Sequence, residues 1–304
     1  PSPERMSVKH IIAIPALVLS AVLTSCVRDE VLPCPPLQVQ ITVKDKNYFN
    51  VDRVELEEKL PDNLPLRRYV PTLHYQLRRL LPEGASEIAV SQENFTVNSD
   101  APHHTVTFNE SLPHGTYVLT VWGGLPAEVK DVKDNKLSLH PQGAEGSDVY
   151  LSNDTLVYNY NSFYYTSELE RTKGKLLIEA CNLPQPINQA DHHVTGLFDQ
   201  VQAHGFIYSG QTEINTSHAW LTEGNWVTKT LLSPSVKKDQ SVLSMRFYEA
   251  NAPHRPICVP PDLPITLRRN ELTVLRYVYE DGGKFTIYML VNDNWEEVHG
   301  MELD

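Results

Sequence analysis

Alternation of apolar and polar residues with a period of two recurs along the chain and confines it to β-structure. In LQVQITVKD, Leu37, Val39, Ile41 and Val43 fall on one face, and Gln38, Gln40, Thr42 and Lys44 on the other. LSMRFYEA sets Leu243, Met245 and Phe247 against Ser244, Arg246 and Tyr248. KFTIYMLVN sets Phe285, Ile287, Met289 and Val291 against Thr286, Tyr288 and Leu290. Side chains of an extended chain point to opposite faces in turn, so each segment reads as a strand with one buried face. TYVLTVWGG and LTVLRYVYE, rich in β-branched and aromatic residues, read the same way. Asp281-Gly282-Gly283 lies between the last two long strands and predicts a terminal hairpin.

Helical signals are few. Residues 51–60, VDRVELEEKL, suit a short helix ended by Pro61. LRRYVPTLHYQLRRLL, residues 66–81, fits a helix or a strand. Tyr69, Leu73, Tyr75 and Leu77 suit alternation, and Pro71 would cost a helix a hydrogen bond, so a strand is expected. Twenty-two prolines are spread along the 304 residues as turn punctuation. Many short strands between turns point to β-sandwiches. The tyrosine-rich stretch from Tyr158 to Arg171 marks the junction, and KGKLLIEAC, from Lys173 to Cys181, reads as the opening strand of a second sandwich. The expected domains are 37–167 and 168–304.

The chain carries 41% hydrophobic and 21% charged residues, a globular composition, with a net charge of −12. An acidic surface repels nucleic acid and anionic membranes. Any membrane attachment must come from another source, and IIAIPALVLSAVLTSCVRDE, residues 11–30, supplies one. Its apolar run from Ile11 to Leu23 falls short of the roughly 20 residues that span a bilayer. A basic start at Met6-Ser-Val-Lys9-His10, the apolar run and the small residues Thr24 and Ser25 form the layout of a secretory signal peptide, with Met6 the expected start. Leu23-Thr24-Ser25-Cys26 resembles the lipobox of bacterial lipoproteins, in which the cysteine takes a diacylglycerol and becomes the new N-terminus. Residues 1–25 are then the signal peptide and 26–36 a lipidated tether, stiffened by Pro33, Pro35 and Pro36. Removing residues 1–25, which carry a net +1, leaves −13.

With Cys26 assigned to lipid, Cys34, Cys181 and Cys258 remain. A Cys181–Cys258 disulfide and two separate thiols both stand, because spacing does not reveal the Cα separation that a disulfide needs. No GxSxG elbow, P-loop or HExxH occurs. His103-His104 and His192-His193 offer adjacent imidazoles, expected in loops, but neighbours on an extended chain diverge and chelate one ion poorly. Glu296-Glu297 reads as a solvated face. No enzyme activity, metal or cofactor is expected.

LPHGTYVLTVWG (112–123), ERTKGKL from Glu170 and RNELTVL from Arg269, taken with the lipobox and Cys34, resemble the fimbrillin-A-associated anchor proteins, the lipidated base subunits of protease-assembled fimbriae on Gram-negative anaerobes. The resemblance runs from about Cys26 to the C-terminus and rests on the order and spacing of these stretches. It implies two tandem transthyretin-like Greek-key β-sandwiches and an outer-membrane lipoprotein exposed at the cell surface. Such a protein anchors a fimbrial shaft subunit, a fimbrillin, and ends its assembly. Val27-Arg28-Asp29-Glu30 matches the acidic stretch that sends such lipoproteins to the surface. Arg67-Arg68, Arg78-Arg79 and Arg171 are basic sites, none a clear point of proteolytic processing. Shaft capture by β-strand addition is expected. Leu272–Glu297 either offers that strand or closes the second sandwich internally. Two other readings compete: a surface lipoprotein that binds glycans through Tyr158, Tyr160, Tyr164 and Trp122, and a lipid-anchored hydrolase.

Overall fold

The computed structural model describes residues 35–109, 111–220, 225–249, 251–252 and 254–298. From Pro36 onward the chain forms one compact unit. Cys26, Cys34, the signal peptide and residues 26–34 of the tether lie outside the described residues. The structure is all-β. Its first half holds β1 (Gln38–Val43), a single helical turn α1 (Leu66–Tyr69), β2 (Thr72–Leu80), β3 (Ser86–Thr96), β4 (His104–Thr107), β5 (Gly115–Gly123), β6 (Lys136–Ser138), β7 (Tyr150–Tyr158) and β8 (Tyr164–Arg171). The second half holds β9 (Gly174–Cys181), β10 (Gln189–Leu197), β11 (Gln200–Gln202), β12 (Ile207–Ser209), β13 (Thr212–Ala219), β14 (Trp226–Leu232), β15 (Ser241–Tyr248), β16 (Leu263–Ile265), β17 (Leu272–Glu280), β18 (Lys284–Val291) and β19 (Asn294–Val298). Among the described residues no helix is long and apolar enough to cross a membrane.

Alternation predicts burial well where one face meets the core. Leu37, Val39, Ile41 and Val43 are all buried in and beside β1, as are Leu243, Met245 and Phe247 on β15. The hairpin at Asp281–Gly283 joins β17 to β18, with Glu280 opposite Lys284. Two expectations need correction. The helix expected over 51–60 is only a 3₁₀ turn at Val51–Arg53. Val51 and Val54 are drawn onto Leu177, Leu272 and Val274, and this tertiary burial overrides local propensity. The strand expected across 66–81 starts only at Thr72. Leu66–Tyr69 forms α1, with Pro65 before it and Pro71 after it, so neither proline interrupts the element.

In the first half the strand order is β3-β2-β5-β7-β8-β1-β4. The strands β7 and β8 pair only at Tyr150–Arg171 and Leu151–Glu170, so the sheet hinges there into two leaves. The leaves turn toward each other, and Tyr75 on β2 meets Phe108 beyond β4 at 6.1 Å between ring centroids. LPHGTY takes on a structural role at the entry to β5. The buried Tyr117 donates its hydroxyl to Pro113 O at 2.6 Å, four residues back, the corner found in Greek-key sandwiches.

The second half sets β13-β10-β15-β16 against β14-β9-β17-β18-β19. Leu176, Ile178, Leu275, Tyr277 and Ile287 of one sheet meet Val194, Ile214, Leu243, Met245 and Phe247 of the other. Both halves share a topological feature. The opening strand of each pairs in parallel with a late strand: β1 with β8, and β9 with β17.

The change from one set of sheets to the other falls at Thr172-Lys173, so β8 runs past the expected boundary at 167/168. Each half also straps the other. Tyr48, Val51 and Val54 cover Leu177, Leu272 and Val274 on the outer face of the β9–β17 sheet. In return, β11 pairs with β6, and Val201 and Ala203 pack with Trp122, Leu139 and Leu151.

Candidate functional site: the seam and the free sheet edges

Two of the stretches that carry the family resemblance, Glu170–Leu176 and Arg269–Leu275, meet at the seam between the halves. Arg171 ends β8 and is buried. Its guanidinium faces Asp148 (Nε to Oδ2, 3.2 Å), donates from Nε to the Tyr150 hydroxyl at 3.0 Å, and lies 3.9 Å from the centroid of the Tyr48 ring. Arg269 donates to Glu170 at 2.6 Å, and the Asn270 amide to Lys173 O at 2.8 Å. Burial pushes the Asp148 carboxyl above its usual range, against the pull of Arg171. Arg171 is therefore a structural cation under an aromatic ring, not an exposed basic processing site.

Lys173 follows immediately and is fully buried. Its ammonium donates to Glu145 O at 2.7 Å and Ser147 O at 2.9 Å, and burial lowers its pKa to about 8. This lysine clamps the 139–147 loop against the second half. Glu145 Oε1 then accepts from the Leu231 amide at 2.6 Å, and His140 Nε2 accepts from the Ser233 amide at 2.9 Å. Part of the outer edge of β14 is thereby capped. Gly124 turns the chain on the other side of this loop, with φ +74° and a Cβ position only 2.2 Å from Asp148 O, so no larger residue fits.

The sheet edges differ in their fitness for strand addition. β4 and β16 are short, and Pro264 sits inside β16. β3 is long but carries an extra residue at two register shifts against β2, and Lys130 O already accepts its Asn94 amide. Bulges of this kind blunt an edge. β13 pairs with β10 in unbroken register from Ala219 to Ile214, bears neither Lys nor Pro, and forms one edge of its sheet. β19 edges the other sheet for five residues, with Trp295 held 4.0 Å over the Arg276 guanidinium. β17 and β18 are paired on both sides, so Leu272–Val291 closes the sandwich internally, and within Leu272–Glu297 only β19 keeps a side without a partner strand among the described residues.

The remaining candidates separate clearly. Trp122 and Tyr158 are buried and cannot stack on a sugar, whereas Tyr160 and Tyr164 are exposed. His192 and His193 are not in a loop but in β10. His192 points inward to Thr230 Oγ1, with 3.1 Å between the two atoms, and His193 points outward to Glu213 at 3.2 Å. His104 opens β4. Glu296 and Glu297 are exposed. Cys181 is half-buried and Cys258 buried, both as free thiols among the described residues. The seam cluster was missed as a unit because its members are scattered from Tyr48 to Asn270. The unusual density of Arg and Lys at 171–175 was its one local signal.

These features define an all-β protein of paired sheets, strapped at a polar seam and open at selected edges. No protein-family model and no curated protein matches the chain. Solved structures do. An adhesin candidate from Bacteroides thetaiotaomicron aligns at TM-score 0.59 and 12% identity, covering 89% of this chain and all of that one. A polysaccharide-binding candidate from the same organism aligns at TM-score 0.54 and 10% identity, covering 86% of this chain and 98% of that one. The fimbrial anchor protein Mfa2 from Porphyromonas gingivalis aligns at TM-score 0.46 and 10% identity, over 87% of this chain and all of that one. At these identities the likeness is one of fold.

Proposed function

We propose that this protein is an outer-membrane lipoprotein, held through acyl chains on Cys26, that anchors a fimbrial shaft at the cell surface and ends its assembly. Its two halves are read as tandem transthyretin-like sandwiches, and it has no catalytic role. The observation that carries the capture step is the edge of β13, in unbroken register over Ile214–Ala219 and with no lysine or proline to repel a partner strand. Main-chain hydrogen bonds along that edge supply affinity, and alternate side chains set register. One acyl chain holds a protein only reversibly at about 0.8 kcal/mol per buried CH₂, so two or three on Cys26 suit a base that resists shear. Mutation of Cys26 to Ala, with an ordinary signal-peptidase site restored, tests the reading. Fimbriae should be shed into the medium with altered length. Fimbriae that stay attached would refute the anchor.

A further inference from the structure

A cleft of about 350 Å³ opens at the seam, lined by Tyr48, Tyr69, Asp148, Arg171, Lys175 and Arg68 among others. That size lies at the lower end of small-ligand sites, which run roughly 300–1,000 Å³. Two of its residues keep a buried polar atom without a hydrogen-bond partner among the described residues: the Tyr48 hydroxyl and Asp148 Oδ1. Both residues line the cleft, Tyr48 is 5% exposed, and Asp148 is the strongest charge acting on its hydroxyl. Leaving such groups unpaired costs about 1–3 kcal/mol each, which a ligand that pairs both would recover.

The lining carries five basic side chains against three acidic ones, in a chain of net charge −12. Glu57 occupies two of the bases, Lys175 and Lys229. Arg68 is exposed and forms no ion pair among the described residues. The chemistry of the cleft selects its occupant. A phosphate diester offers acceptors alone and leaves Asp148 Oδ1 unpaired, and inorganic phosphate, whose P–OH could donate there, would bring its own charge directly against that carboxylate. An ammonium meets the positive excess. A neutral sugar leaves that excess unused. A pyranose bearing a carboxylate supplies hydroxyl donors and acceptors for Asp148 and Tyr48, an anion for Arg68, and C–H faces for the tyrosine rings.

We infer that the seam cleft binds a carboxylated saccharide, a uronic-acid unit, through Tyr48, Asp148 and Arg68. This site is separate from the exposed Tyr160 and Tyr164 and does not depend on the fimbrial role. Calorimetric titration of the full chain with digalacturonate, and with the neutral galactose disaccharide as control, tests it. Digalacturonate should bind at least about tenfold tighter than the neutral sugar, a difference of about 1.4 kcal/mol. Arg68→Gln should erase that preference. Tyr48→Phe, which removes only an unpaired hydroxyl and should leave the fold at least as stable, should weaken digalacturonate about tenfold. The inference is overturned by an absence of uronate binding, by binding indifferent to both substitutions, or by full displacement with equimolar acetate, which marks a bare carboxylate site. Fimbrial attachment in cells carrying Arg68→Gln is read separately, so the two proposals fail independently.

Discussion

His192 and His218 lie ring on ring between the two sheets of the second half, with centroids 5.3 Å apart and planes 13° from parallel. Each imidazole reaches a threonine of β14: His192 contacts Thr230 at 3.1 Å and His218 contacts Thr228 at 3.0 Å. Burial, with His218 adding to it and Asp191 opposing, pushes His192 down to about 4. Burial likewise lowers His218.

Acid should therefore loosen the second sandwich in a defined window. The native state binds fewer protons at His192 than the unfolded chain, so the contribution is full above about pH 6.5 and lost as pH falls toward 4, reaching about 3 kcal/mol. Urea midpoints across that range check it. Mutation of His192 to Gln should flatten the slope, and parallel slopes for the two proteins would remove His192 as the cause.

Replacing Arg171 by Met should destabilise the protein by about 1.5–3 kcal/mol, because the part-exposed Asp148 carboxylate and the buried Tyr150 hydroxyl both lose a charged partner. Replacing Arg269 by Met should cost only about 1 kcal/mol or less, since its pairs with Glu170 and Asp45 are partly solvated. Chemical denaturation of both variants gives the comparison.

Lys173→Met should free the loop that caps β14. With the bonds to Glu145 O and Ser147 O gone, Glu145 loses its hold on the Leu231 amide. Hydrogen exchange at Leu231 should accelerate about tenfold or more, while amides in the central strand β17 keep their protection.

Tyr117→Phe deletes the corner bond to Pro113 O and little else. Pro113 is exposed and its carbonyl can turn to water, so the loss should be about 1 kcal/mol, seen as a fall of a few degrees in Tm.

The sequence by itself determined the β class, the facing of β1 and β15 and the β17–β18 hairpin, because these follow from a two-residue period and a Gly-Gly turn. It also marked Glu170–Leu176 and Arg269–Leu275 as noteworthy. Tertiary structure decided what those stretches do. Arg171, Lys173 and Arg269 become seam residues only because β1, β8, β9 and β17 run side by side in two sheets, an arrangement made by pairings more than 90 residues apart in sequence. The same long-range packing unwound the helix expected at Val51–Leu60 and buried Trp122 and Tyr158. It also drew Leu272–Val291 into the interior of a sheet. Local pattern records which face of a strand avoids water. Which strand becomes an edge, and which charge loses its solvent, depends on neighbours that no short window contains.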